Sequence, residues 1–182
     1  MSFLPASYTK IPTSSNYMRF QDGDNSFRVL SSAIVGYVYW NNEKKPVRSR
    51  NPYNKIPADI QFDEDGGFKI SHFWAFVVWN YGEQKIQILE VTQKKVMKAM
   101  KALVDNAKWG DPKGYDICVN RTGTGYDTDY VVQGIPHSPL EDKIAKLYAE
   151  TSINLEALFD GEDPFMTTST EQAPVDMSDV PL

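Results

Sequence analysis

Two neighbouring stretches, residues 69–81 (KISHFWAFVVWNY) and 85–91 (KIQILEV), decide the fold class of this chain of 182 residues. Both are rich in β-branched and aromatic residues, which favour strands. Gly82 and Glu83 lie between them and supply the short turn that a hairpin needs. The two stretches therefore predict a pair of adjacent antiparallel strands.

Further strand-like stretches lie on both sides of this hairpin. Residues 26–40 (SFRVLSSAIVGYVYW) and the short basic run 45–51 (KPVRSRN) precede it, and residues 115–122 and 128–133 follow it. A glycine within a long strand often marks a bulge or a bend, and Gly36 holds such a position. The chain is therefore expected to contain five or six strands.

One helix is expected between the strands, from Thr92, whose side chain can cap it, to about residue 108. Two short helices are predicted near residues 139–149 and 152–159. The apolar side of the long helix consists of residues at helical spacing, namely Val96, Met100, Val104 and Ala107.

The order of these elements predicts a mainly β fold of the OB type, a five- to six-stranded antiparallel Greek-key barrel with one inserted helix and short C-terminal helices. The helix of an OB fold follows the third main strand, as it does here. A β-sandwich is the alternative, but it would not readily place a lone helix at this point. The expected divisions are an irregular N-terminal arm (1–16), the barrel (17–140), a short helical extension (141–160) and a disordered acidic tail (161–182).

Charge is distributed unevenly along the chain. The formal net charge is −5, yet residues 1–148 carry all 19 lysines and arginines and a net charge of +3. Residues 149–182 carry eight acidic residues and no basic one. This asymmetry suggests separate tasks for the body and the tail, although an acidic tail can also serve solubility alone.

The motifs of common catalytic mechanisms are missing. The sequence lacks GxxxxGK[ST], GxSxG and HExxH. The single cysteine, Cys118, excludes an intramolecular disulfide, and the distance in sequence between His72 and His137 argues against a zinc site. We therefore expect neither an enzyme nor a bound metal or other cofactor.

Aromatic and basic residues are interleaved along the predicted strands. This mixture suits the binding of a single-stranded nucleic acid, because rings stack on any base and cations neutralise phosphates. The lysines of the helix are explained more simply as a solvated face than as a reader of duplex DNA. The residues expected to bind are the rings Tyr37, Tyr39, Trp74, Phe76 and Tyr126 and the cations Arg48, Arg50 and Arg121.

The last residues of the sequence form a second candidate site. Asp176 and Asp179 are followed by Val180, Pro181 and Leu182. The carboxylates can pair with a basic rim on another protein while Leu182 enters an apolar pocket, and Pro181 reduces the entropy lost on docking. We predict that this tail recruits partner proteins and that, in addition, it lies over the basic surface when DNA is absent.

The ending of the chain resembles the acidic tip of bacterial single-stranded DNA-binding proteins, with Leu182 in place of their final Phe. The body resembles phage-encoded single-stranded DNA-binding proteins with an OB fold over roughly residues 17–140. The resemblance rests on the motifs QDGD (21–24), FRVL (27–30), KPVRS (45–49), HFWAFVVWNY (72–81) and KIQIL (85–89).

This resemblance implies sequence-independent binding and protection of single-stranded DNA during phage DNA replication, recombination or repair. The implied partners are single-stranded DNA and, through the tail, replication or recombination proteins in the cytoplasm of a bacterial host. The absence of a signal peptide or a long apolar run agrees with this location and argues against a membrane partner. Whether the chain forms a homo-oligomer stays open.

Two other functions remain as alternatives. The chain could be a non-enzymatic phage protein-interaction module, with its rings packed in the core. It could also be an oligosaccharide-binding OB domain, which would use aromatic platforms but would depend little on salt.

Overall fold

A computed structural model describes residues 15–165. Within this range it contains seven strands and two α-helices, α1 (Lys94–Asp105) and α2 (Asp142–Glu150). Short 3₁₀ segments cover Pro112–Gly114, Gly125–Asp127 and Leu155–Asp160. The strands are β1 (Gly23–Val29), β2 (Ile34–Trp40), β3 (Pro46–Ser49), β4 (Ser71–Asn80), β5 (Lys85–Val91), β6 (Asp116–Thr122) and β7 (Asp129–Gly134).

The ten-residue strand β4 is the centre of the sheet, and it pairs with three others. Strand β5 runs along one edge of β4 and forms the predicted hairpin with it. The other edge is shared, since β2 pairs with the first half of β4 and β1 with the second half. β1 and β2 thus act as one long strand that is interrupted at residues 30–33.

The remaining strands extend the sheet outward from this centre. β6 pairs with β1, β7 pairs with β6, and β3 pairs with β2. Every pairing between these strands is antiparallel. The prediction of a mainly β, antiparallel fold with few helices is therefore confirmed.

The sheet is open, and the predicted closure into a barrel is not confirmed. Closure would require β5 and β7 to pair, and no such pairing occurs within residues 15–165. The free edge of β5 is instead covered by the chain just before β1. The amide of Ile88 donates to the carbonyl oxygen of Asn16 at 2.9 Å, and the amide of Met18 donates to the carbonyl oxygen of Ile88 at 2.9 Å.

Strand β4 is buried on both faces, which explains its continuous apolar sequence. On one side α1 covers the sheet through Val96 and Met100, and on the other side α2 and the segment Leu155–Asp160 cover it. Phe76 and Val78 face α1, whereas Phe73, Ala75, Val77 and Trp79 face the opposite way.

The predicted helix is present but shorter than expected. Gln93 precedes α1 and makes no side-chain cap, so the prediction that Thr92 caps the helix is wrong. Val96 and Met100 are buried as expected, together with Met97. Val104 is 45% exposed near the end of α1, whereas its neighbour Leu103 packs against the core.

Gly36 does not form the predicted bulge, since it stands in regular register opposite Phe73. The interruption lies instead between β1 and β2. A Cβ atom on Gly36 would overlap the carbonyl oxygen of Ser49 and come within 3.0 Å of ring atoms of Phe73 and Phe159. Glycine at this position therefore allows β3 and the segment Leu155–Asp160 to approach β2 closely.

We predict that Gly36→Ala lowers the free energy of unfolding by about 1–3 kcal/mol, because the added methyl group overpacks a backbone contact. Urea denaturation measures the change. Gly67→Ala is the control, since a Cβ there would meet only the end of the Asp63 side chain at 3.3 Å. Equal stability of the two variants would contradict this account of Gly36.

A buried arginine ties β1 to β6 and to the segment that follows β7. Arg28 is 1% exposed, and its Nε donates to Oδ1 of Asp116 at 2.7 Å. Its guanidinium also donates to the carbonyl oxygen and the hydroxyl of Ser138. The hydroxyl of Tyr81 donates to the same Asp116 oxygen at 2.9 Å. Loss of the arginine would remove the cation that neutralises Asp116 and would leave Asp116 with the Tyr81 hydroxyl as its remaining side-chain partner, while Ser138 would lose both of its bonds to the guanidinium.

Arg28→Leu should therefore lower the free energy of unfolding by about 3–5 kcal/mol, as removal of one partner of a buried ion pair does. Lys95→Leu breaks the exposed pair with Asp129 and should cost no more than about 1 kcal/mol. Urea titrations of the wild type and of each variant measure both changes in the free energy of unfolding. A small effect of Arg28→Leu would mean that Asp116 and Ser138 regain partners without it.

Candidate nucleic-acid interface

Two of the predicted stacking rings are buried, so the prediction that they lie at the surface is wrong. Tyr39 is 5% exposed, and its hydroxyl donates to Oδ1 of Asp59 at 2.7 Å. The ring of Tyr53 packs edge-on against it, 5.2 Å away. Phe76 is 2% exposed because α1 covers its face of the sheet. Neither ring is available to a base without unfolding its surroundings.

The other predicted rings lie in two separate places. Tyr37 and Trp74 are half-buried on the α1 side of the sheet, where the ring of Tyr37 is 5.2 Å from that of His72. Tyr126 is fully exposed in the turn between β6 and β7. The structure therefore does not bring the predicted rings together on one surface.

All three predicted cations form ion pairs. Arg48 donates to Glu90 at 2.7 Å, and its guanidinium lies 5.8 Å from the centre of the Phe73 ring. Arg50 pairs with Glu156 and lies over the ring of Phe159, and Arg121 pairs with Asp22 at 2.9 Å. Since Phe73 faces away from α1, Arg48 lies on the side of the sheet opposite Tyr37 and Trp74.

A groove of about 370 Å³ opens around Arg48 on this side of the sheet. A second one of about 290 Å³ adjoins it and extends to Arg121. The two share Met18, Arg19, Glu90 and Gln93, so they form one continuous surface. We call this surface the basic groove, and its rings and cations are Tyr17, Arg19, Phe20, Trp40, Arg48, Lys69, Arg121 and Tyr130.

The charges in the basic groove leave a positive excess. Arg19 and Lys69 are exposed and form no ion pair within residues 15–165. Arg48 is held by Glu90, which is the one acidic residue among those lining the groove in the described range. An anion in the groove would therefore meet Arg19 and Lys69 without having to displace a carboxylate.

The groove also presents aromatic surface. Trp40, at the end of β2, is 53% exposed, and the rings of Phe20 and Tyr130 lie 5.9 Å apart. Tyr17 is half-buried beside Arg48 and Glu90, and burial raises the pKa of its hydroxyl, so the ring stays neutral. The groove thus combines one exposed ring, three half-buried rings and two cations that form no ion pair among the described residues.

Sequence reasoning missed most of this surface. Of the eight predicted residues, Arg48 and Arg121 line the groove, whereas Arg19, Trp40 and Lys69 were not predicted. One signal was available for Trp40, because it alternates with Tyr37 and Tyr39 along β2 and must point to the opposite face. Arg19 and Lys69 come from segments outside the strands, and their proximity has no sequence signature.

Two expectations concern features beyond this groove. Within residues 15–165, no cluster of three or more His, Cys, Asp and Glu side chains could hold a metal ion. No helix in the same range is long and apolar enough to cross a bilayer. The predicted partner-binding residues lie outside the described range: Asp176, Asp179, Val180, Pro181 and Leu182.

The geometry defines an open antiparallel sheet with a cationic, aromatic surface groove. The chain is 22% identical over 151 residues to a protein of Escherichia phage T5 named "Probable ssDNA-binding protein". The match covers 70% of this chain and 58% of that relative, so the chain spans little more than half of its length. No family model matches the sequence, and no solved structure matches it.

The environment of Tyr39 predicts a dependence of stability on alkaline pH. Burial, assisted by the hydrogen bond to Asp59, raises the pKa of Tyr39 to about 12 from the usual 10.0. Because the folded state favours the neutral phenol, this stabilisation is complete below pH 10 and is lost as the pH rises from about 10 to 12.

Tyr39→Phe should therefore reduce the fall in the free energy of unfolding between pH 10 and 12, measured by urea denaturation at each pH. The fall will not vanish, because burial and the bond to Asp116 also raise the pKa of Tyr81 to about 12. Tyr126→Phe is the control, since that ring is fully exposed. The same pH dependence in wild type and Tyr39→Phe would contradict the prediction.

Proposed function

We propose that the basic groove binds single-stranded DNA without preference for base sequence. The observation that carries this proposal is that Trp40 lies exposed in the same groove as Arg19 and Lys69, two cations without an ion-pair partner among the described residues. The name of the relative from phage T5 supports the same ligand. The proposed activity is binding alone, without catalysis.

Each part of the groove has a separate physical task. A base stacked on Trp40 gains about 1–3 kcal/mol whatever its identity, since every base has a π-face. Arg19 and Lys69 contact phosphates and release counterions, which makes the affinity depend on salt. Arg48 and Arg121 are held by Glu90 and Asp22 and therefore shape the groove more than they add charge.

The connections of the strands support an OB-type arrangement, with closure incomplete. The joined β1–β2 strand counts as the first main strand, followed by β4, β5, α1, β6 and β7. OB folds bind nucleic acids on the face of the second and third strands, between the loops that follow the first and fourth. The groove matches this position, because Ser71 and Glu90 lie on β4 and β5 while Arg121 and Tyr130 flank the turn between β6 and β7.

Beyond DNA binding, we infer a role in phage DNA replication, recombination or repair in the host cytoplasm. The acidic end of the sequence would recruit partner proteins through Asp176, Asp179 and the apolar residues that follow. The separate task of the tail is supported by the distribution of charge, since no basic residue occurs after Lys146 while the body carries all lysines and arginines.

The proposal predicts a specific loss on charge reversal. The double variant Arg19→Glu and Lys69→Glu should lose at least about tenfold in affinity for an oligothymidine at low salt. In a plot of log affinity against log salt concentration, the slope should become less steep by about 1.4, which is the effect of losing two phosphate contacts on a single strand. Fluorescence anisotropy of the labelled oligonucleotide measures both.

The matched control is Lys143→Glu and Lys146→Glu, which makes the same charge change on α2. It should keep most of the affinity, since long-range effects of net charge are screened at moderate salt. Equal losses in both double variants would contradict a site in the basic groove. A ligand such as an oligosaccharide, bound without salt dependence, would contradict the proposed function itself.

A separate readout tests stacking. Trp40 is the most exposed of the four tryptophans, so its emission should be quenched when oligothymidine binds, and salt should reverse the quenching. In Trp40→Ala most of this quenching should disappear, and the affinity should fall by about 1–3 kcal/mol. Unchanged quenching in Trp40→Ala would show that DNA stacks on a ring other than Trp40.

A further inference from the structure

A second groove, of about 380 Å³, lies on the opposite side of the sheet, between α1 and the start of β2. We call it the apolar groove, and the side chains that form its floor are Val35, Trp74, Phe76, Met100 and Val104. Val35 and Val104 are 49% and 45% exposed. An apolar groove that is open to water can accept apolar side chains from another segment.

Lysines flank one end of the apolar groove. A smaller groove of about 190 Å³ continues it from Trp74 along α1, past His72 and Met97. Its rim includes Lys94 and Lys98, which form no ion pair within the described part of the chain. The lysine stems cover apolar surface while their ammonium groups stay in water. At the other end of the apolar groove, Lys113 pairs with Asp111. The excess positive charge therefore lies beside the first half of α1, at Lys94 and Lys98.

This chemistry fits a peptide better than a nucleic acid. The floor is mostly aliphatic, and Trp74 is its only aromatic ring that is not fully buried in the described structure. An extended peptide with alternating apolar and acidic side chains would fill the floor and also pair with the lysines. A partner of this chemistry occurs in the chain itself.

We propose that the apolar groove binds residues 175–182 of the same chain, Val-Asp-Met-Ser-Asp-Val-Pro-Leu. Successive side chains of an extended segment point to opposite sides, so Val180 and Leu182 occupy the floor together, while Asp179 points away from it toward the ammonium groups of Lys94 and Lys98 at the rim. The charges are complementary, because this end of the sequence contains no cation that could pair with its own carboxylates.

The chain is long enough to make this contact. Phe165 packs against the core on the side opposite α1, in the cluster that contains Val38 and Phe73. The ten residues from there to Val175 can span up to about 36 Å. The path is short, because Val38 of that cluster and Val35 of the apolar groove lie three residues apart on β2 and on opposite faces of the sheet, so the segment has only to cross the sheet edge beside β2. Tethering gives an effective concentration on the order of millimolar, so weak intrinsic affinity is sufficient.

Docking on this side has a consequence that differs from occlusion of the DNA site. The basic groove stays open, while the acidic segment is withheld from other proteins until one of them binds it more tightly. Recruitment of partners is then limited by release of the segment from the α1 side and not by competition with DNA.

Paramagnetic relaxation in the full-length protein tests the proposal. A nitroxide is attached to Ser178→Cys in a background with Cys118→Ser, and amide intensities are measured by NMR. The amides of Val35 and Val104 should lose most of their intensity and should lose clearly more than those of Arg19 and Lys69. The loss should disappear in Lys94→Glu with Lys98→Glu, and should persist in the control Lys143→Glu with Lys146→Glu.

Three outcomes would overturn the proposal. The first is broadening of the amide signals of Arg19 and Lys69 and not of those of Val35 and Val104, which would place the segment over the basic groove. The second is the absence of broadening on either side. The third is broadening that arises only between labelled and ¹⁵N-enriched copies in a mixed sample, which would make the occupant a second molecule.

Discussion

The burial of β4 on both faces and both edges is the constraint on which the rest of the structure depends. The strand pairs with β5 on one edge and with β2 and β1 on the other, and helical segments cover both of its faces. Each face of the sheet therefore keeps only a limited area that is not covered. The part of the basic groove around Arg48 is such an area on one face, and the apolar groove beside α1 is such an area on the other.

The elements of the fold could be predicted from the sequence, whereas the direction of the side chains could not. The β4–β5 hairpin and the helix after it follow from local composition and turn residues, and they are present. Alternation could not identify the outward rings, because a strand covered on both sides carries apolar residues at every position from Phe73 to Val78. The covering segment Leu155–Asp160 is about eighty residues away in sequence, so its effect on β4 is a long-range one.

The candidate site was predictable to a smaller extent. Arg48 could be found because it lies in a strand next to aromatic residues, but the carboxylate of Glu90 that holds it comes from β5. Arg19 and Lys69, which form no ion pair within residues 15–165, lie outside the strands and are brought into one groove only by folding. Composition can therefore suggest a class of ligand, while the cations that are proposed to contact it are brought together only by tertiary structure.

The short segment Asn16–Met18 along β5 also affects the colloidal behaviour of the protein. An uncovered strand edge offers a row of unsatisfied amides and carbonyls to any neighbouring chain, and natural proteins avoid such edges. Here two backbone hydrogen bonds to Ile88 occupy that position. A molecule that lost this segment would expose the unpaired edge of β5, and another chain could pair with that edge and extend the sheet into a fibre.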